Sequence, residues 1–369
     1  MKLDKIRKEI DEIDSAMLNL FEKRMHLSKE VVDYKIKNHM EIFQKDREQE
    51  VLEKNLNKLN DKNLYNYARN FILQNMNLSK RYQATFLKQE ELSFDSVKKD
   101  HLVIGYQGIP GSFSHQAVNT YFKEGKQKHY DSFEDVFKAL GNHEIDYGVL
   151  PLENSTTGAI NDNYDLITEY GFYIVGEQSL SVGQHLLGVK GSHLKDIKKV
   201  YSHPQGILQS SRFLHNHHIS SEAYPNTAMA AKMIACLQNK QLGAIASLET
   251  AKLYGLDIIA THIEDDDTNH TRFIIIGRHL ESHQEASRIS TVFTLRHAVG
   301  ALYEVMKIVK DHQMNMARIE SRPIPHTPWE YYFYMDIDGN LHDPDTLSCI
   351  EEIKACTSSF RLLGNYQRK

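Results

Sequence analysis

The chain has 369 residues, with 44 Lys and Arg residues against 49 Asp and Glu residues, and its formal net charge is −5. This length predicts two or three domains, and the near balance of charges excludes a chain-wide field that would recruit nucleic acid or an anionic membrane. Charges interrupt the apolar residues of the first twenty positions, and no later stretch is apolar enough to cross a bilayer, so we expect a cytoplasmic protein without a secretion signal.

No motif in the sequence indicates a disulfide or a metal ion. Cys236, Cys349 and Cys356 form no CxxC pair, and their odd number argues against a disulfide framework, so we expect reduced thiols. Two polar clusters, at 215–218 and 264–267, contain histidines or acids without a recognised ligand spacing. We therefore predict neither a metal site nor a cofactor.

The first hundred residues contain no glycine and no proline, the two strongest interrupters of helices, so this segment is predicted to be all helix. Its apolar residues recur at alternating spacings of three and four, which is the a/d pattern of a helix that packs along its length. The residues of this apolar seam are Leu3, Ile6, Ile10, Ile13, Met17, Leu20, Leu27, Val31 and Tyr34.

Arg24 stands at a position of the seam where the pattern demands an apolar side chain. Because an unpaired guanidinium in a helical interface is costly, Arg24 must meet an anion, either a structural glutamate or an anionic ligand. Lys35 lies eleven positions later, which at about 100° per residue returns it to within roughly 20° of Arg24 on the same helix face. The two cations can therefore address one ligand.

The rest of the segment adds polar residues in a recognisable order. A second helix is predicted to open at Asp46 with acids in its first turn, and a third ends with two polar residues on one face. Seven residues have the order and approximate spacing found in the all-helical chorismate mutases, which the segment resembles over nearly its whole length. They are Arg7, Arg24, Lys35, Arg47, Glu48, Ser79 and Gln83.

The resemblance implies that this segment rearranges chorismate, a dianion, to prephenate by charge and shape alone, without a nucleophile. By resemblance, Lys35 and Gln83 are catalytic residues that contact the ether oxygen. Arg7 and Arg24 would bind the carboxylates, and Glu48 would contact the ring hydroxyl.

Two details of this assignment stay open. Either Arg47 or Ser79 would assist the arginines at the carboxylates. Gln44 departs from the family, since such enzymes often have an acid there that helps to bind the ring hydroxyl, so its effect on substrate affinity is open.

The spacing of the arginines also predicts an oligomer. Arg7 and Arg24 are 17 residues apart, so on one helix they are separated by about 25 Å and turned by roughly 100°. One small substrate cannot touch both, and a catalytic Arg7 must then come from another chain. We therefore predict an intertwined homodimer with shared mutase sites, while the sequence leaves open whether dimers pair into tetramers.

Beyond residue 100, short β-rich runs alternate with helical stretches, which predicts α/β layering. We place the all-helical domain at 1–90, a polar linker at 91–100, an α/β domain at 101–280 and a C-terminal unit at 288–369. The charged stretch at 281–287 separates the last two.

Four segments of the α/β domain place glycines or polar residues beside strand ends, where open α/β sheets and helix starts bind ligands. They begin at Gly108, Leu150, Ser202 and Asn269. Together they resemble the catalytic domain of prephenate dehydratases, and Thr271-Arg272-Phe273 is their most specific element. The resemblance implies two α/β lobes with a cleft between them, the chain returning to the first lobe near Asp257. In such domains prephenate loses its ring hydroxyl and, as carbon dioxide, a carboxylate, which yields phenylpyruvate.

By resemblance, Thr271 is the catalytic residue that hydrogen bonds or delivers a proton to the leaving hydroxyl. A free threonine is a very weak acid, so neighbours must polarise it, and the ultimate proton donor stays open. By resemblance, Arg272 binds a carboxylate of the substrate, and Phe273 forms a wall of the site that excludes water. By resemblance, four residues either polarise Thr271 or orient the substrate: Glu153, Asn154, Thr157 and Gln205. Ser112 completes the predicted prephenate-binding residues.

The C-terminal unit is predicted to have the element order βαββαβ, which resembles the α+β ACT domain, a module that binds amino acids. The resemblance implies phenylalanine as a feedback inhibitor, and ACT domains commonly pair edge to edge, which would add a second dimer contact. Tyr303 departs from the usual small apolar residue, so the affinity for phenylalanine is open. The predicted effector residues are Gly300, Ala301, Leu302, Glu320, Ser321 and Arg322.

The chain is thus predicted to be a bifunctional enzyme of phenylalanine biosynthesis, an isomerase and a carbon-oxygen lyase. Two alternatives remain: a dehydratase whose helical segment only dimerises, and a non-catalytic amino-acid sensor. Thr271, Arg24 and Lys35 count against the sensor, whereas Gln44 gives the first alternative some weight. The sequence leaves open whether prephenate passes between the sites without release.

Overall fold

A computed structural model of the chain describes residues 2–38, 45–84, 86, 101–325 and 327–368. These residues form two compact units, and each is described by itself. The N-terminal helices belong to one unit with segments 293–315 and 342–360, and the other unit contains 101–292, 316–341 and 361–368.

Three helices make up the N-terminal region, as the absence of glycine and proline predicts. They are α1 (Lys2–Lys37), α2 (Lys45–Leu56) and α3 (Tyr65–Ala84), and α3 follows a short 3₁₀ turn at Lys62–Leu64. Their buried apolar side chains include Val32 of α1, Leu52 and Leu56 of α2, and Met76 of α3. The nine apolar side chains of the seam on α1 are, by contrast, 44 to 64% exposed.

The α/β region consists of short strands and helices in alternation, as predicted. Its strands are β1 (Val103–Gln107), β2 (Lys126–Tyr130), β3 (Tyr147–Asn154), β4 (Gly158–Ala159), β5 (Tyr173–Ser181), β6 (His185–Gly188), β7 (Lys199–Ser202), β8 (Ser220–Ala223), β9 (Leu242–Ala246), β10 (Asp257–Ala260) and β11 (His270–Gly277). Its helices are α4 (Phe113–Tyr121), α5 (Phe133–Gly141), α6 (Asn161–Tyr170), α7 (Pro204–Gln209), α8 (Ser211–Asn216), α9 (Thr227–Leu237) and α10 (Leu248–Tyr254), with a 3₁₀ turn at Leu194–Asp196.

These strands form two mixed sheets. The first has the order β2-β1-β3-β11-β5, with β4 paired to β3, and the second has the order β10-β6-β9-β7-β8. The return of the chain was expected near Asp257, but residues Asp257–Ala260 are an edge strand of the second sheet, and the chain rejoins the first sheet only at His270. In the first sheet, β11 therefore lies between β3 and β5, although it follows both of them by many residues in the sequence.

Strand β11 lies between β3 and β5 in the first sheet and is buried on both faces. Its side chains alternate between the faces, as in any strand. Phe273 and Ile275 pack with α4, whereas Ile274 and Ile276 pack with α5 and α6. This alternation decides what the residues at the start of β11 can reach.

The C-terminal elements are β12 (Arg288–Thr294), α11 (Ala301–Asp311), β13 (Met316–Pro323), β14 (Tyr331–Asp338), α12 (Pro344–Cys356) and β15 (Ser359–Tyr366). Their strands form one four-stranded sheet in the order β13-β14-β12-β15. Four of their side chains, Val292, Tyr334, Leu363 and Tyr366, lie in the same apolar core as Ile274 of β11. Among the helices that the structure describes, none is both long and apolar enough to span a bilayer.

Candidate active sites

Arg24 is half-buried on α1, beside α3. Its Nη1 atom donates to the carbonyl oxygen of Asn75 at 2.8 Å and to the hydroxyl of Ser79. Burial lowers the pKa of the Arg24 guanidinium. Within the described part of the chain, no carboxylate lies at ion-pair distance from Arg24. The structural-glutamate alternative therefore finds no partner among these residues, and the side chain of Glu48 lies outside them.

Three further predicted residues lie on the same two helices. Ser79 is buried on α3, and Gln83, one turn later, is half-buried. Lys35 is half-buried on α1, about 16 Å from Arg24 along the helix axis, a span that two long side chains and a ring acid can bridge. Arg24, Lys35, Ser79 and Gln83 are thus the predicted mutase residues that are at least partly buried on α1 and α3.

The other predicted mutase residues are not gathered there. Arg7 is exposed on the same continuous helix, and its nearest acid is Asp4, with 4.0 Å between Nη1 and Oδ1. Arg47 is exposed and forms an ion pair with Glu50 at 2.6 Å. Gln44 and the side chain of Glu48 lie outside the described residues.

A hydrogen-bonded cluster joins the ends of β3 and β11, where Asn154 lies directly opposite Thr271. The Oδ1 atom of Asn154 accepts from the backbone N–H groups of Thr156 and Thr157, each at 3.0 Å. Because backbone N–H groups can only donate, they fix the orientation of this amide. Its Nδ2 atom then donates to Oγ1 of Thr271 at 2.9 Å. The Thr271 oxygen accepts, so its own proton is left for another acceptor.

Asn269 is a member of this cluster that the sequence prediction missed. It is only 2% exposed, and its Oδ1 atom accepts from Asn154 Nδ2 at 2.7 Å. The available signal was its spacing, since residues two apart in an extended chain point the same way and Asn269 precedes Thr271 by two. The structure therefore brings together Asn154, Thr157, Asn269 and Thr271.

Arg272 points away from this cluster, which does not fit its predicted contact with a substrate carboxylate beside Thr271. Its guanidinium donates from Nε to Glu177 at 2.8 Å, from Nη1 to Asp336 at 2.6 Å and from Nη2 to the hydroxyl of Tyr366 at 2.8 Å. Burial alone lowers the pKa of Arg272, but Tyr366, Asp336 and Glu177 outweigh burial and raise it. Each nitrogen of the guanidinium thus donates to an acceptor within the protein.

Glu153 lies on the same face as Arg272, because the two residues are paired across β3 and β11. Its Oε2 atom is 3.0 Å from Nη1 of Arg318 on β13, and Arg318 Nη2 is 3.4 Å from Glu320. This placement does not fit a role for Glu153 in polarising Thr271, since the sheet separates the two side chains, and the alternative role of Glu153 in orienting substrate stays a prediction.

The remaining predicted residues lie near the cluster in sequence or at helix starts. Phe273 is 1% exposed in the core on the Thr271 face, so it is packed rather than a wall of an open site. Ser112 caps α4 by accepting from the N–H of His115 at 3.3 Å. Gln205 is half-buried in the first turn of α7, in the second lobe.

The loop before α4 also ties the two lobes together. Gly108 and Gly111 have φ of 103° and 93°, values that favour glycine, so this tight turn depends on them. The carbonyl of Gly111 accepts from the hydroxyl of Thr250 at 2.8 Å, and that of Pro110 accepts from Tyr254 at 2.8 Å. Both donors belong to α10. No group of three metal-ligating side chains occurs in the ranges that the structure describes.

Comparison with known proteins agrees with both halves of this picture. A family model described as chorismate mutase type II matches residues 6–84, and one described as prephenate dehydratase matches residues 104–281. The bifunctional chorismate mutase/prephenate dehydratase of Enterobacter agglomerans is 31% identical over 375 residues, which cover 98% of this chain and 95% of that protein.

Two solved structures share the fold of the larger part of the chain. The prephenate dehydratase from Staphylococcus aureus has a TM-score of 0.65 at 29% identity and covers 72% of this chain and 100% of its own. A prephenate dehydratase in complex with L-Phe from Arthrobacter aurescens has a TM-score of 0.66 at 24% identity and covers 72% and 90%. The chain belongs to the bifunctional chorismate mutase/prephenate dehydratase family, and it rearranges chorismate to prephenate and then dehydrates and decarboxylates prephenate to phenylpyruvate.

Proposed function

We propose that residues 1–90 carry the mutase, that 91–100 are a linker, that 101–280 carry the dehydratase and that 288–369 are an ACT domain through which phenylalanine inhibits the enzyme. The observation that carries the catalytic part is the orientation of Asn154, which leaves the Thr271 hydroxyl as a proton donor. The substitution of Thr271 described in the Discussion tests it.

In the mutase, Arg24 binds a carboxylate of chorismate, and its hydrogen bonds to Ser79 and Asn75 hold the guanidinium in place before substrate arrives. Lys35 and Gln83 donate to the ether oxygen, where negative charge grows as the C–O bond breaks. These groups also select the compact conformer in which the new C–C bond can form.

The mutase works as a homodimer in which each site takes Arg7 from the partner subunit. Two observations support this arrangement. Arg7 and Arg24 belong to one unbroken helix and lie about 25 Å apart along it. The apolar seam of the same helix is exposed along its length, and burying it against a second copy removes that surface from water.

In the dehydratase, Thr271 Oγ1 donates its proton to the ring hydroxyl of prephenate. The C–O bond breaks and the hydroxyl leaves as water, while the ring carboxylate leaves as carbon dioxide and its electron pair enters the ring, which becomes aromatic. The side-chain N–H of Asn154 stabilises the negative charge that develops on the threonine oxygen. That oxygen takes a proton back from solvent water before the next turnover. Thr157, Ser112 and Gln205 bind the rest of the substrate.

The residues predicted to bind phenylalanine are Gly300, Ala301 and Leu302 at the start of α11 and Glu320, Ser321 and Arg322 of β13. The residue before α11 is Gly300, which has a φ of 80° and no side-chain cap, so the first N–H groups are free of a capping side chain and suit a carboxylate. The dehydratase from Arthrobacter aurescens that shares this fold holds L-Phe. The proposed inhibitor closes the dehydratase cleft when bound.

Arg318 links the proposed phenylalanine site to the dehydratase residues at the end of β3. It contacts Glu320 at 3.4 Å and Glu153 at 3.0 Å, and Glu153 directly precedes Asn154. A ligand that binds Glu320 removes one ion-pair partner of Arg318. The ion pair between Arg318 and Glu153 at the end of β3 changes as a result. This is a differential contact of the kind that feedback requires.

We expect Arg318→Met to weaken inhibition, raising the phenylalanine concentration for half-inhibition of the dehydratase by about tenfold, because the substitution removes both ion pairs. Phenylpyruvate formation at increasing phenylalanine measures this, with Lys310→Met as a matched control on an exposed helix position. Unchanged inhibition would contradict the link. Absence of phenylalanine binding to the unmodified chain would instead contradict the ACT assignment.

A further inference from the structure

The amide nitrogen of Asn154 has more acceptors than protons. Nδ2 lies 2.7 Å from Oδ1 of Asn269, 2.9 Å from Oγ1 of Thr271 and 3.2 Å from the carbonyl oxygen of His270. An amide –NH₂ has two protons, so three acceptors compete for them. Which two are served decides whether Thr271 receives a hydrogen bond.

Asn269 is held so that it takes one of these protons. Its backbone carbonyl accepts from the N–H of Val182 at 2.8 Å, which anchors the residue beside the end of β5. Its side-chain Oδ1 accepts from Asn154 Nδ2 and from the hydroxyl of Thr156 at 3.4 Å. Rotating the Asn269 amide by a half turn would set its Nδ2 against the Nδ2 of Asn154, donor against donor.

This orientation has a cost, which the structure displays. The Nδ2 atom of Asn269 is buried and has no hydrogen-bond partner among the described residues. A buried donor without an acceptor destabilises a protein. An arrangement that sacrifices stability in this way beside catalytic groups is expected where function sets the geometry.

We propose that Asn269 is a positioning residue for the dehydration: its Oδ1 atom holds one N–H of Asn154, so that the other N–H points at Thr271 Oγ1. This inference rests on the proposed role of Thr271 as the proton donor. Without the Asn269 acceptor, the Asn154 amide is anchored only through its oxygen. It can then tilt so that the N–H aimed at Thr271 Oγ1 turns toward the carbonyl of His270, and the Thr271 oxygen loses its donor for part of the time. The charge that develops on that oxygen is then less stabilised.

We expect Asn269→Ala to lower kcat of the dehydratase by about 10- to 100-fold, because catalytic groups that are slightly misplaced lose much of their effect. KM for prephenate should change little. Asn269→Asp keeps an acceptor at the same place and should restore most of kcat. Asn216→Ala, which makes the same change at an exposed position of α8, is the matched control, and mutase activity and thermal unfolding report folding.

A double-substitution cycle separates positioning from general damage. If Asn269 acts through Asn154, then adding Asn269→Ala to a chain that already carries Asn154→Ala should cost at most about twofold more. The proposal is overturned if Asn269→Ala keeps full kcat, if Asn269→Asp is as impaired as Asn269→Ala, or if the two losses multiply. An active Thr271→Val chain would instead overturn the proposed role of Thr271, whatever Asn269 does.

Discussion

Replacing Thr271 by Val should lower phenylpyruvate formation from prephenate by about 10²- to 10⁴-fold, the range typical of a lost general acid. Valine matches threonine in shape, so the buried packing of this 8% exposed residue survives. The hydroxyl is lost, and with it both the proton donor and the acceptor for Asn154. Conversion of chorismate to prephenate by the same chain should keep its unmodified rate, since the mutase residues lie on α1 to α3.

The matched variant is Thr271→Ser, which keeps the hydroxyl and removes only a methyl group. It should retain far more dehydratase activity than Thr271→Val. Parallel losses of dehydratase and mutase activity in Thr271→Val would indicate damaged folding, and an unimpaired dehydratase would remove Thr271 from the reaction.

The second large effect is complementation between inactive mutase chains. Arg7→Ala and Lys35→Ala should each abolish most mutase activity, but co-folded chains should regain about a quarter of it, because random pairing makes half of the dimers mixed and each mixed dimer has one unaltered site. Recovery is expected only if a site combines Arg7 of one chain with Lys35 of the other. The initial rate of prephenate formation measures it.

Arg24→Ala mixed with Lys35→Ala is the matched control for this experiment. Both residues belong to the part of the site that one chain contributes, so every site of a mixed dimer carries one of the two changes. No recovery is expected. Equal recovery in both mixtures, or none in either, would contradict sites shared through Arg7.

Sequence periodicity predicted much of the fold because the signals were local. The a/d seam of α1 and its single interruption by Arg24 follow from spacing alone, and so does the element order of the C-terminal unit. The strand alternation of β11 was equally readable, since consecutive residues such as Thr271 and Arg272 must face opposite sides of a sheet. Because of this alternation, Thr271, Arg272 and Phe273 cannot all face one site.

Long-range partners could not be predicted. Arg272 is neutralised by Glu177 and Asp336, which lie in other strands far along the chain. Glu153 likewise meets Arg318 of β13 only because the C-terminal strands pack against the first sheet. A charged residue beside a catalytic one looks like a ligand-binding residue until its partners across the fold are known.

The most direct test of the central claim is to supply purified chain with chorismate alone and to follow prephenate and phenylpyruvate over time. A bifunctional enzyme should form prephenate first and then convert it to phenylpyruvate, and the Thr271→Val chain should stop at prephenate. If no prephenate forms from chorismate while phenylpyruvate still forms from added prephenate, the account is contradicted. Arg24 and Lys35 on α1 would then not catalyse the rearrangement of chorismate.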